Sequence, residues 1–130
     1  MATQILISNG DSIKIDNSYH IAWADKGKDW VDAWCPNTIH CVIWNNLPGQ
    51  NEIQSKDPAT GNMTGNTNLN ATSDAVGSTT IAALLTWAET RKGQIEAAIS
   101  AYTNAVVDDE ANSTNNATGK TWIDYDSNYS

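Results

Sequence analysis

Between Ile81 and Val106 apolar residues return at alternating steps of four and three, and no other stretch of the chain restricts its fold as tightly. Ile81, Leu85, Ala88, Ile95, Ile99, Tyr102 and Val106 fall on one helical stripe, with Lys92 as the single interruption. Ser78-Thr79-Thr80 stands just ahead and offers hydroxyl oxygens to the free amides of a first turn. The spacing predicts a helix over 81–107, roughly 40 Å long at 1.5 Å per residue. A chain of 130 residues is one domain in size, and such a helix is longer than so small a core easily covers. Leu85, Ile95, Ile99, Tyr102 and Val106 are therefore candidate contacts with another chain. The plainer reading is that the stripe packs on the protein's own sheet.

The part before the helix reads as β structure. Residues 4–15 alternate around Asn9-Gly10, a pair that favours the positive φ angles of a tight hairpin turn. Residues 38–44 form a second strand candidate, with Ile39, Cys41 and Ile43 on one face and His40, Val42 and Trp44 on the other. Both faces are largely apolar, which places this strand centrally. A further hairpin is expected over 52–64, where Asp57-Pro58-Ala59-Thr60-Gly61 supplies a turn-starting Asp, a Pro that presets φ and a Gly for a left-handed position. In 20–35, Trp30 and Trp34 would share a helical face, but Gly27 and Pro36 leave room for little more than two turns. Residues 65–77 are rich in Asn, Thr and Ser without periodicity and read as a connecting loop.

Beyond the helix, 112–120 is polar and low in complexity, and the chain then closes on aromatic residues. Alternation of Trp122, Asp124 and Asp126 against Ile123 and Tyr125 predicts a short strand or extended arm. A polar spacer should not order itself, so Trp122, Tyr125 and Tyr129 are candidate anchors on the protein's own domain or on a neighbouring subunit. The expected fold class is α+β: a small antiparallel β unit of hairpins (1–77), one long amphipathic helix (78–110) and a spacer with an extended C-terminal arm (111–130).

A formal net charge of −8 and seven scattered basic residues argue against nucleic acid and anionic membrane as partners, because both are bound by clustered Lys and Arg. No apolar run approaches the roughly 20 residues that span a bilayer, and the first residues lack a basic leader region. The expectation is a soluble protein made without a secretion signal, in which the Asn-x-Ser/Thr triplets carry no weight. Two cysteines, Cys35 and Cys41, are too few for a disulfide scaffold.

His20, Cys35, His40 and Cys41 are the residue types zinc prefers. They lack the paired spacing that preorganises a site, and adjacent His40 and Cys41 would point to opposite faces of a strand. Asp124, Asp126 and Asn128 imitate the opening of a calcium loop without its glycine or closing glutamate. Nucleophile-elbow, zinc-protease and phosphate-loop motifs are all missing. No cofactor, metal or catalytic activity is expected. Trp23, Trp30, Trp34 and Trp44 have faces that can stack on sugars, which makes a glycan-binding adhesin module one alternative. With no Phe in the chain, core filling is the stronger reading of these tryptophans.

Thr38-Ile39-His40-Cys41-Val42-Ile43-Trp44, followed by Asn51-Glu52-Ile53-Gln54 and Asp57-Pro58-Ala59-Thr60-Gly61, resembles small tail-associated proteins of tailed phages, particularly those of marine cyanobacteria. Those proteins carry a Val/Ile-His-x-Val-x-Trp strand, a Gly-Glu-Ile-Glu strand and an Asp-x-x-x-Gly turn. Their following helix with Trp, Arg and Glu is comparable to Leu85-Thr86-Trp87-Ala88-Glu89-Thr90-Arg91. The resemblance covers 39–91, departs where Gln50-Asn51 stands for the expected Gly, and has no counterpart for 1–32. It implies a virion structural protein at the tail or its fibres, in contact with other virion proteins and with copies of itself, or else a tail-fibre assembly chaperone. It transfers no catalytic residue.

Overall fold

The computed structural model describes residues 3–9, 12–16, 19–22 and 28–126, with the backbone alone for 19–22 and 28–30. The fold is α+β, as the periodicities predict. Among the described residues eight strands come first: β1 (Ile5–Ser8), β2 (Ser12–Ile15), β3 (Tyr19–Ala22), β4 (Ile39–Trp44), β5 (Glu52–Lys56), β6 (Met63–Asn68), β7 (Ala75–Val76) and β8 (Thr79–Thr80). Helix α1 (Lys28–Trp34) lies between β3 and β4, helix α2 (Ile81–Asn112) follows β8, and a 3-10 helix spans Trp122–Tyr125. Contacts divide the chain into two units, Met1–Glu89 and Thr90–Ser130, so the division falls inside α2.

In the first unit six strands form one antiparallel sheet in the order β3-β2-β1-β4-β5-β6. The N-terminal hairpin forms as expected, with Ile5 opposite Ile15 and Ile7 opposite Ile13. β4 is central, between β1 and β5. One sheet face collects Ile5, Ile7, Ile13, Ile15, Val42 and Trp44, all buried, and it forms the core with buried Val31, Trp34, Leu69, Val76, Ile81, Leu84, Leu85 and Ala88. The Asp57 turn is built as its composition requires: the Asp57 carboxylate accepts from Ala59 N–H (2.9 Å), the Asp57 carbonyl accepts from Gly61 N–H (2.7 Å), and Gly61 takes φ +76°.

The strand carrying the apolar alternation is shifted in phase by one residue. Ile39 pairs with Ser55 and Cys41 with the adjacent Gln54, so a β-bulge sits at His40. Ile39 therefore joins Val42 and Trp44 on the core face, while Cys41 and Ile43 share the opposite face and His40 is exposed. This corrects the face assignment expected for 38–44. Asn9 holds the bulge: its N–H donates to the His40 carbonyl (2.9 Å), and its side-chain amide donates to the carbonyls of Ile39 (3.0 Å) and Pro36 (3.2 Å).

The expected loop over 65–77 is also partly strand. β6 continues to Asn68, fully exposed along its length, so nothing demands an apolar alternation there. β7 and β8 then make a small hairpin around Gly77 and Ser78. Gly77 has φ +61°, and a Cβ there would lie 2.0 Å from the Trp34 carbonyl oxygen, which accepts from Ser78 N–H (3.1 Å). Only glycine fits that crossing. The start of α2 is capped by the same segment. Ile81 N–H donates to Asp74 O, Ala82 N–H to Thr72 O and Ala83 N–H to the Thr80 hydroxyl (3.2 Å), which covers most of the free donors of a first turn.

In the second unit α2 runs past the predicted 107 to Asn112 and ends at Ser113, whose φ is +56°. The polar segment beyond it is ordered around one carboxylate. Asp109 accepts from the Thr114 hydroxyl (2.7 Å), Asn116 N–H (2.9 Å) and Ala117 N–H (2.7 Å). Residues 122–125, expected as a strand or extended arm, are a single 3-10 turn, with the Asp124 carboxylate accepting from Thr121 N–H (2.9 Å).

Candidate interaction surface

The helix stripe is the first surface the sequence singles out. Leu85 and Ile95 are buried, Ile95 at 1 % exposure, and offer nothing to a neighbour as the chain stands. Ile99, Tyr102 and Val106 are half-buried, and the exposed large apolar side chain of this stretch is Val107, one position off the stripe. At the Lys92 interruption the inward place belongs to Arg91, which is buried and forms an ion pair with the buried Asp126. Arg91 also donates to Gln94 (2.9 Å).

The aromatic arm, the second surface, meets the helix inside the same unit. The Tyr125 ring stands 5.9 Å from that of Tyr102 at a 56° tilt, a geometry aromatic pairs favour, and Lys120 Nζ sits 5.8 Å from its centroid. Trp122 is half-buried. Tyr129 lies outside the described residues. Two sets of residues expected to reach neighbouring chains thus partly satisfy one another.

The open side of the six-stranded sheet is a surface that the sequence did not single out. Register places Ser12, Ser8, Cys41, Gln54 and Asn66 in one cross-strand row and Lys14, Leu6, Ile43, Glu52 and Asn68 in the next. In the first row the Cys41 thiol donates to Gln54 Oε1 (3.1 Å), and Gln54 Nε2 donates across to Glu52 Oε1 (3.1 Å). Asn66 Nδ2 donates to the other Glu52 oxygen. Burial, with the Glu52 charge adding to it, pushes the Cys41 thiol up from its ordinary value, although a hydrogen bond from Gln54 acts the other way. A thiol held protonated is a poor nucleophile and a poor metal ligand. Glu52 moves in the opposite direction, lowered by the Asn66 and Gln54 amides. The result is a hydrogen-bonded polar ladder beside a shallow depression of about 240 Å³ lined in part by Leu6, Lys14, Ile43 and Asn45.

The other candidates are scattered by the fold. Cys35 and Cys41 are unlinked and buried. Among the described residues no three His, Cys, Asp or Glu side chains gather where they could hold a metal ion; the His20 side chain is outside that set. Asp124 and Asp126 are engaged by Thr121 and Arg91, and Asn128 lies outside the described residues. Trp34 and Trp44 are 8 % and 4 % exposed, so neither presents a face for a sugar, while the side chains of Trp23 and Trp30 are not described. No helix among the described residues is long and apolar enough to cross a membrane. Compared with family models, curated proteins and solved structures, the chain matches none.

Proposed function

We propose that this chain is a phage virion structural protein, tail- or fibre-associated, that acts through contacts with other virion proteins and with copies of itself. The observation that carries the reading is the placement of the resembling residues. Thr38 to Trp44, Asn51 to Gln54 and Asp57 to Gly61 make up β4, most of β5 and the turn after it, one continuous hairpin unit, and the remaining resembling residues, Leu85 to Arg91, lie in α2. The open face of that unit carries a fixed polar ladder without an activated nucleophile, in keeping with a surface made for contact. A location in the particle follows from the same reading.

Quantitative mass spectrometry of purified particles carrying this gene tests the proposal. The protein should be present at a fixed ratio to the major tail protein in every preparation. Presence in the infected cell and absence from washed particles would point instead to an assembly chaperone.

A further inference from the structure

We infer that β6 is a self-complementary edge, and that two copies of the chain join there antiparallel about a two-fold axis at Asn66. This pairing does not depend on the particle role proposed above. β6 is the last strand of the sheet, bonded among the described residues only to β5, and every residue from Met63 to Asn68 is exposed. Leu69 N–H bonds the Asn51 carbonyl (2.8 Å). Alternation along an antiparallel pair then turns the backbone groups of Thr67 toward β5 and those of Asn66 and Asn68 outward. Exposed edges are ordinarily guarded by Lys, Pro or inward charge. Met63-Thr64-Gly65-Asn66-Thr67-Asn68 has none of these, in a chain of net charge −8. The irregularity opposite Ser55 and Lys56 lies toward the Met63 end and leaves Gly65 to Asn68 in regular register.

The occupant is identified by what each position would meet. With the axis at Asn66, the two Asn66 side chains face each other, Thr67 meets Gly65 of the second copy and Asn68 meets Thr64. Every facing side chain is neutral, and the Asn amide is both donor and acceptor toward its own copy. The same register brings Glu52 of one copy to within one residue of Lys56 of the other, about 15 Å away across three strand spacings of about 4.8 Å, while the two Glu52 positions stay about 20 Å apart. Opposite charges are therefore nearer than like ones. A second copy fits this edge without local repulsion, and the short contact predicts a weak dimer below the standard interface size.

Single-cysteine cross-linking reads the axis directly, because the native Cys35 and Cys41 are buried and unlinked. In Asn66→Cys the two new thiols sit on a backbone-bonded pair about 5.5 Å apart, within disulfide reach. In Met63→Cys they lie about 20 Å apart along the strands. Under mild oxidant, Asn66→Cys should form covalent dimer at least tenfold faster than Met63→Cys, and the two should react equally once unfolded in urea. Sedimentation provides a second readout. The wild-type mass should rise toward twice the monomer with concentration, and Asn66→Lys, which keeps a donor for Glu52 but sets two charges on the axis, should abolish the rise. Equal native cross-linking rates, no cross-linking of either variant, or a rise unaffected by Asn66→Lys would overturn the inference.

Discussion

The two units of this chain bury different chemistry. In Met1–Glu89 the core is aliphatic and aromatic, with isoleucines from β1 and β2 packed beside Val42, Trp44 and the first turns of α2. In Thr90–Ser130 the buried apolar residues among those described are Ile95, Ala98 and Ala117, and the buried side chains beside them are Arg91 and Asp126. The first unit follows from non-directional burial. The second depends on a few directional contacts, each of which needs its partner. Loss of one group should therefore be absorbed or felt very differently in the two halves.

The largest effect belongs to the first unit, at a backbone crossing rather than a side chain. Gly77→Ala would put a Cβ 2.0 Å from the Trp34 carbonyl at a φ of +61°. Because backbone must shift on both sides, we expect a loss of about 4 kcal/mol or more in urea unfolding followed by tryptophan fluorescence. A loss under about 1 kcal/mol would show that the crossing yields easily and that the first unit is less tightly packed than its burial indicates.

Next in size is the ion pair of the second unit. Asp126→Ala leaves the Arg91 guanidinium buried without its carboxylate, at a cost of about 3 kcal/mol. The loss should appear in amide exchange over 90–126 and leave the sheet amides unchanged. Replacing both partners, Arg91→Met with Asp126→Leu, should restore most of the stability, since an apolar pair of similar volume avoids desolvating two charges. If the single variant also loosens the sheet, the two units do not respond separately.

The smallest effect is set by pH. Hydrogen bonds from Thr114, Asn116 and Ala117 hold Asp109 below its ordinary value of 3.8. A lowered carboxyl contributes its stability above the unfolded value, and the contribution is lost as pH falls through the folded one. The amide signals of Asn116 and Ala117 should therefore shift in NMR spectra below about pH 4, and Asp109→Asn should remove that response. Asp74 is lowered in the same direction by Asn70 and Ala71. Its loop is flanked by buried Leu69 and Val76, so the Asn70 and Ala71 amides should move less, which would sharpen the contrast between the units.

Much of the fold was legible because long periodic patterns report on burial. The stripe from Ile81, the cap at Thr80 and the Asp57 turn all lie where local rules place them. β6 was harder to read because neither face is buried, so its sequence is free of alternation. The Arg91–Asp126 pair joins residues 35 positions apart, beyond any local spacing rule, and Lys92 drew attention to the neighbour of the residue that mattered. Of the proposed interface residues, the sequence located the apolar stripe, but it had no means to tell that Tyr102 and Tyr125 face each other. The cross-strand ladder from Cys41 to Asn66 needed the register of three strands.

The bulge at His40 sets the parity of its strand. Before it the odd-numbered Ile39 faces the core, and beyond it the even-numbered Val42 and Trp44 do. A strand of the same length without the bulge could keep the later inward side chains only by turning Ile39 out to solvent, or keep Ile39 only by exposing Val42 and Trp44 and drawing Cys41 and Ile43 inward. Single-residue insertions and deletions elsewhere in 38–44 are thus frame changes for this strand, whereas loss of His40 itself simply removes the bulge and changes of two residues preserve which side is which. Descendants of this sequence should shorten that strand by one residue only at the bulge, with Asn9 kept wherever the extra residue is kept.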